Sequence, residues 1–162
     1  MQKLLKISIF FLLFSACTGQ ANSGEYLFKK YFEVFPIQIS EETNRTEPLL
    51  RPAYEAYSTQ DYTTVLKITS DFTRNVAELP VVMMAQSMGY IFADSLEQAD
   101  HTLAVLEAHP IIGDNATWYR ALLKVKEEDF KAAINYLDQV PRLGDSELTS
   151  KAAALKSELE QN

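Results

Sequence analysis

One cysteine, two histidines and 22 acidic side chains are the raw material for chemistry in this chain of 162 residues. Their spacing assembles no recognisable site. Cys17 stands alone near the N-terminus, far in sequence from His101 and His109, so the set falls short of the four ligands that a structural zinc ion takes mainly from Cys and His. Neither histidine has a partner at triad or metal-binding spacing. The acidic pairs Glu41-Glu42 and Glu127-Glu128 are sequence neighbours, and adjacent residues of a helix do not face one another, so they read as solvated surface. Gly19, Gly24, Gly89, Gly113 and Gly144 are too scattered to cradle a phosphate. The net charge of −7 opposes the clustered Lys and Arg that phosphate-backbone binding requires. The expectation is a chain with no metal, no cofactor, no nucleic-acid partner, no evident small-molecule substrate and no catalytic site.

The strongest local pattern lies at the start. In residues 1–16, Lys3 and Lys6 precede an apolar run from Ile7 to Phe14, broken only by Ser8, that ends at Ser15 and Ala16. A positive stretch, a short apolar run and small residues form a secretory signal, and the run is much shorter than the roughly 20 residues that span a bilayer. Cys17 directly after Ser15-Ala16 resembles the lipobox of bacterial lipoproteins, with Phe14 in place of the usual Leu. That resemblance implies cleavage before Cys17 and its acylation, which leaves no free thiolate for nucleophilic work. Multiple acyl chains would give stable attachment to a membrane. Loss of Lys3 and Lys6 with the signal takes the charge from −7 to −9. Residues 17–24 are small and polar and read as a tether.

Residues 25–48 are aromatic at first, with Tyr26, Phe28, Tyr31, Phe32 and Phe35 ahead of Pro36, and polar from Ser40 to Pro48. A short helix or an extended piece lying on the following domain accounts for the aromatics, and a partner-binding patch is the alternative.

From residue 49 onward the chain repeats at an offset of 34. Met84 meets Trp118, Ser87 Ala121, Met88 Leu122, Ile91 Val125, Leu96 Phe130, Ala99 Ala133, Leu103 Leu137 and Leu106 Val140. A weaker copy runs from Leu50 through Tyr62 to Phe72, with Val65 where the others have Ala, and Ala152, Leu155 and Leu159 begin another. Each unit divides into two apolar stripes at helical spacing. The turns between them read Gln60-Asp61-Tyr62, Asp94-Ser95-Leu96 and Glu128-Asp129-Phe130. Asp94 with Glu97 has the form of a capping box, Asp114 and Ser146 have the form of N-caps, and Pro80 suits a first helical turn. A single helix pair cannot bury its apolar face, whereas stacked pairs build one continuous core.

These residues resemble the tetratricopeptide repeat family, most closely in Trp118-Tyr119-Arg120-Ala121-Leu122, Asp129-Phe130-Lys131-Ala132-Ala133 and Pro141. Met84 stands for the Trp of the second unit. The resemblance implies an all-α, right-handed solenoid of three helix-turn-helix units with a C-terminal capping helix over residues 49–162. Tyr31-Phe32-Glu33-Val34-Phe35-Pro36 ahead of the repeats is similar to small envelope lipoproteins of Bacteroidetes. Together these imply an exported, lipid-anchored protein of the bacterial envelope, in the outer membrane facing the periplasm, working through protein–protein contact. The family's concave groove maps onto Arg51, Glu55, Gln86, Gly89, Phe92, Tyr119, Arg120 and Leu123. Phe92, Tyr119 and Leu123 beside an Arg have the composition of an interface hot spot. The expected occupant is another envelope protein or peptide, and the alternative is the chain's own aromatic segment in a module acting by self-association.

The repeat register makes one position decisive. Ala133 lets the two helices of the third unit approach, so Ala133→Arg should overpack the pair and bury a charge. A loss of at least about 3 kcal/mol is expected in denaturant unfolding, and an unchanged midpoint would refute the register.

Overall fold

The apolar stripes become helices, and the polar dipeptides between them become turns. A computed structural model describes residues 23–37, 50–72, 79–140 and 146–161. The signal, Cys17 and the 17–22 part of the tether lie outside the described residues, as do 38–49 and Pro141. Eight helices are described: α1 (Gly24–Tyr31), α2 (Arg51–Ser58), α3 (Tyr62–Ser70), α4 (Pro80–Phe92), α5 (Leu96–Leu106), α6 (Gly113–Lys126), α7 (Phe130–Leu137) and α8 (Ser146–Leu159). The fold is all-α. From α2 to α7 each helix packs antiparallel on the next, α8 closes on α7 and α6, and α1 lies across α6 and α8.

The 34-residue period reappears in the backbone. Gln60, Asp94 and Glu128, each 34 residues from the next, have φ of 60°, 55° and 59°, the left-handed region. Around each, the same three hydrogen bonds recur. Asp61 N–H donates to Ala56 O, Ser95 to Tyr90 O and Asp129 to Lys124 O, at 2.8, 2.8 and 2.9 Å. Inside each of these bonds, Gln60 N–H reaches Tyr57 O, Asp94 reaches Ile91 O and Glu128 reaches Val125 O, while Thr59, Ala93 and Glu127 close the last α-turn. This is the Schellman motif, in which a left-handed residue satisfies the carbonyls orphaned at a helix end. The following helix then starts at once. Asp61 and Asp129 cap α3 and α7, accepting from Thr64 N–H and Ala132 N–H.

Three capping expectations are corrected. Asp94 is the left-handed turn residue and Ser95 the N-cap of α5, without a side-chain cap bond, so Asp94 and Glu97 form no capping box. Asp94 instead accepts from Lys126 Nζ at 2.6 Å, tying the second turn to the end of α6. Asp114 is a buried residue inside the first turn of α6, whose N-cap is Ile112, and Ser146 is the first residue of α8. Pro80 does open α4.

One apolar core runs the length of the stack. Val65, Met84, Met88, Ala99, Leu103, Ala121, Leu122, Val125, Ala133 and Leu155 are completely buried in it. A smaller cluster of Leu50, Tyr54 and Val82 closes the α2–α4 end. Gly89 on α4 lies against Leu66 of α3: a Cβ there would stand 2.8 Å from Leu66 Cγ. Its smallness serves packing, and it does not belong to an open surface.

An L-residue in the left-handed region costs about 1–2 kcal/mol relative to Gly, part of which Gly returns by making the unfolded chain more flexible. Gln60 is exposed, so Gln60→Gly should stabilise the protein by about 0.5–1 kcal/mol and raise the thermal midpoint. A lowered midpoint would contradict the strain assigned to this turn.

Candidate protein-binding groove

The aromatic N-terminal segment is where the most unusual side-chain geometry gathers. Helix α1 starts under the cap of Ser23 Oγ and ends at Tyr31, the chain turns extended at Phe32, and residues 32–37 continue outside regular secondary structure as a strap. Gly24 begins α1 in a close approach, since a Cβ there would lie 2.1 Å from Val125 O, and Gly24 N–H points at Glu128 Oε1 (3.4 Å). At the other end of α1, Lys30 Nζ donates to Glu158 at 2.6 and 2.9 Å, and Tyr31 Oη donates to the same carboxylate at 2.6 Å. The Tyr31 ring meets Trp118 edge-on at 6.3 Å. Thus α1 is pinned to the third turn, to α6 and to α8.

Beyond α1 the strap crosses a floor of aromatic residues from four helices. Phe32 stacks on Phe28 at 4.9 Å and meets Phe92 and Tyr119 edge-on at 5.7 and 6.0 Å. Phe35 packs edge-on against Tyr119 at 6.5 Å. Edge-to-face geometry at these distances adds about 0.5–1.5 kcal/mol per pair to simple burial. The main chain of the strap is gripped separately. Tyr119 Oη donates to Glu33 O and Tyr57 Oη donates to Phe35 O, both at 2.7 Å. The two carbonyls are two residues apart, as on one edge of an extended chain. Lys151 Nζ donates to Glu33 Oε2 at 2.9 Å, and Ile37 reaches both cores.

Burial keeps these phenols protonated donors. It is the main cause of the upward shift at Tyr57 and Tyr119, with Tyr62 adding to both, and it carries Tyr31 to about 12 with help from Glu158. Tyr62 lies between them in the same floor, its ring stacked on Phe92 at 4.0 Å and edge-on to Tyr57 at 5.8 Å.

The residues expected to line an open face divide. Arg51 and Glu55 are exposed on α2, Gln86 is half-buried on α4, and Phe92 remains 50% exposed although Tyr62 and Phe32 occupy two of its sides. Tyr119 and Leu123 are buried, Tyr119 beneath the strap and Leu123 in the core. Arg120 projects toward α5 and α7. Its guanidinium forms a bidentate pair with Asp100 (2.9 and 3.1 Å), bonds Glu107 at 2.7 Å and lies 4.6 Å over the Tyr136 ring. It ties helices together on a different side from Tyr119. Tyr57, Tyr62 and Trp118 were legible only as repeat positions: Tyr57 holds the strap through Phe35 O, Tyr62 stacks on Phe92, and Trp118 meets Tyr31 of α1.

His101 is exposed, and His109 Nδ1 accepts from Ile111 and Ile112 N–H at the entry to α6. Among the described residues no group of three His, Cys, Asp or Glu could hold a metal, and no helix is long and apolar enough to cross a membrane. Beside the strap, Trp118, Asn115, Leu148 and Lys151 line a cavity of about 170 Å³, below the roughly 300–1,000 Å³ of ordinary small-molecule sites. No protein-family model, curated protein or solved structure matches the chain.

Hydrogen bonds from Lys30 and then Tyr31 hold the Glu158 carboxyl below its ordinary 4.5, against a smaller opposing effect of burial. Its contribution to docking α1 is therefore complete above about pH 4.5 and is lost as the pH falls through the lowered value. Trp118, the sole tryptophan, reports it: acidification below about pH 4.5 should shift its emission to the red. Glu158→Gln should flatten that profile and cost at most about 1 kcal/mol, because both partners are part-exposed. An unaltered profile in the variant would show that Glu158 does not hold α1.

Proposed function

We propose that this chain is a non-enzymatic, lipid-anchored adaptor of the bacterial envelope, built as a tetratricopeptide-like right-handed solenoid and working by holding an extended protein segment. The observation that carries the reading is the pair of tyrosine hydroxyls, Tyr57 and Tyr119, bonded to alternate carbonyls of the strap, the spacing of carbonyls on one edge of an extended chain. Main-chain capture with pockets for particular side chains is how peptide-binding surfaces combine affinity with selectivity. The recurrence of the same turn every 34 residues supports the repeat architecture. The signal pattern before Cys17 supports export and acylation at that cysteine, and the resemblance to small envelope lipoproteins supports a place in the outer membrane facing the periplasm.

Occupation of the groove by the chain's own segment favours a second reading, in which the module acts by self-association and copies exchange straps. Light scattering of the purified protein separates the two, since exchange requires a dimer whose population depends on concentration.

Two measurements test the main reading. Labelled palmitate should be incorporated by cells expressing the protein and not by cells expressing Cys17→Ala. A fluorescent peptide with the sequence of residues 31–37 should bind the Gly24→Ala chain, in which the added methyl displaces α1 from Val125, at least tenfold more tightly than it binds the native chain. Equal binding to the two would refute the groove.

A further inference from the structure

The strap does not use every hydrogen-bonding group that its floor presents. Tyr62 is 8% exposed, its hydroxyl is buried and, among the described residues, no atom accepts from it or donates to it. Its neighbours Tyr57 and Tyr119 each hold a strap carbonyl. Buried hydroxyls are ordinarily paired, and one left unpaired disfavours the arrangement that buries it. The strap therefore fits the floor with one donor unanswered. At the same time it displays what the floor accepts: an aromatic ring at its first position, a carboxylate next on Lys151, and a second ring at its fourth.

We propose that the strap is a displaceable place-holder, and that the partner which displaces it is an extended protein segment of the form aromatic-acidic-x-aromatic that also brings a hydrogen-bond acceptor to Tyr62 Oη. This rests on the groove reading above and adds the chemistry of the competitor. An intramolecular strap competes at high effective concentration, so an external segment with identical contacts is held off. One additional hydrogen bond to a buried donor is worth about tenfold in affinity, which gives a matched partner its advantage over the strap. Lack of an acceptor keeps the resident segment releasable.

The test uses the mature chain and synthetic probes. The parent probe is the peptide with the sequence of residues 31–37, and three others carry Val34→Asn, Pro36→Asn or Ile37→Asn. Each is titrated against the native chain, Gly24→Ala and Tyr62→Phe, with binding read by anisotropy and strap release by Trp118 emission. At least one Asn probe should displace the strap at about one-tenth of the parent's concentration, and in Tyr62→Phe the ratio of the two concentrations should fall to about one. Tyr62→Phe should also melt no lower than the native chain, because the deleted hydroxyl has no partner to lose. No gain from any Asn probe, a gain that survives Tyr62→Phe, or a lowered melting temperature of Tyr62→Phe would each overturn the proposal. If the parent probe fails to bind Gly24→Ala, the groove reading falls and takes this inference with it. If the parent binds and no Asn probe improves on it, only the inference falls.

Discussion

Three left-handed residues spaced by 34 positions set the geometry on which everything else in this molecule depends. A Schellman turn at Gln60, Asp94 and Glu128 reverses the chain in the least possible length, so that each helix lies against its predecessor. Helices as short as the eight residues of α2 and α7 are too short to persist alone in water and are held by such packing. The turns also place the aromatic floor. Tyr57 and Tyr62 flank the first turn, Phe92 precedes the second, and the third receives Gly24.

The periodic part of this organisation is plain in the sequence. Pairs such as Ala99 and Ala133, or Leu103 and Leu137, are equally buried because the same environment recurs. The register even held the answer to the mistaken capping box. Aligned at 34, Asp94-Ser95 falls on Gln60-Asp61 and Glu128-Asp129, which puts Ser95 at the cap. The Asp residue was misleading because Asp favours both an N-cap and a left-handed turn.

What periodicity could not supply is the side on which Tyr119 and Arg120 act. Successive residues of a helix point about 100° apart, so a family groove mapped onto both mixes two faces. Arg120 belongs to an ion-pair and cation–π cluster with Asp100, Glu107 and Tyr136, while Tyr119 belongs to the strap. Coverage by the chain's own aromatic segment was open only as an alternative, since Tyr119 and Glu33 are 86 positions apart and nothing local encodes their meeting. The dense aromatic run from Tyr26 to Phe35 was the available signal, and it marked a segment in need of burial without deciding between the chain's own groove and a partner.

The seating of Gly24 against the third turn also fixes a height. A chain extends by at most about 3.6 Å per residue, so the seven residues from Cys17 to Gly24 reach about 25 Å. With an acyl anchor at Cys17, as proposed, docked α1 keeps the turn at Glu128 within that distance of the lipid headgroups. Undocking α1 and the strap would lengthen the leash to the end of the strap at Ile37, about 70 Å at full extension. On that proposal, occupancy of the groove and the volume the module can sweep are two readings of a single event.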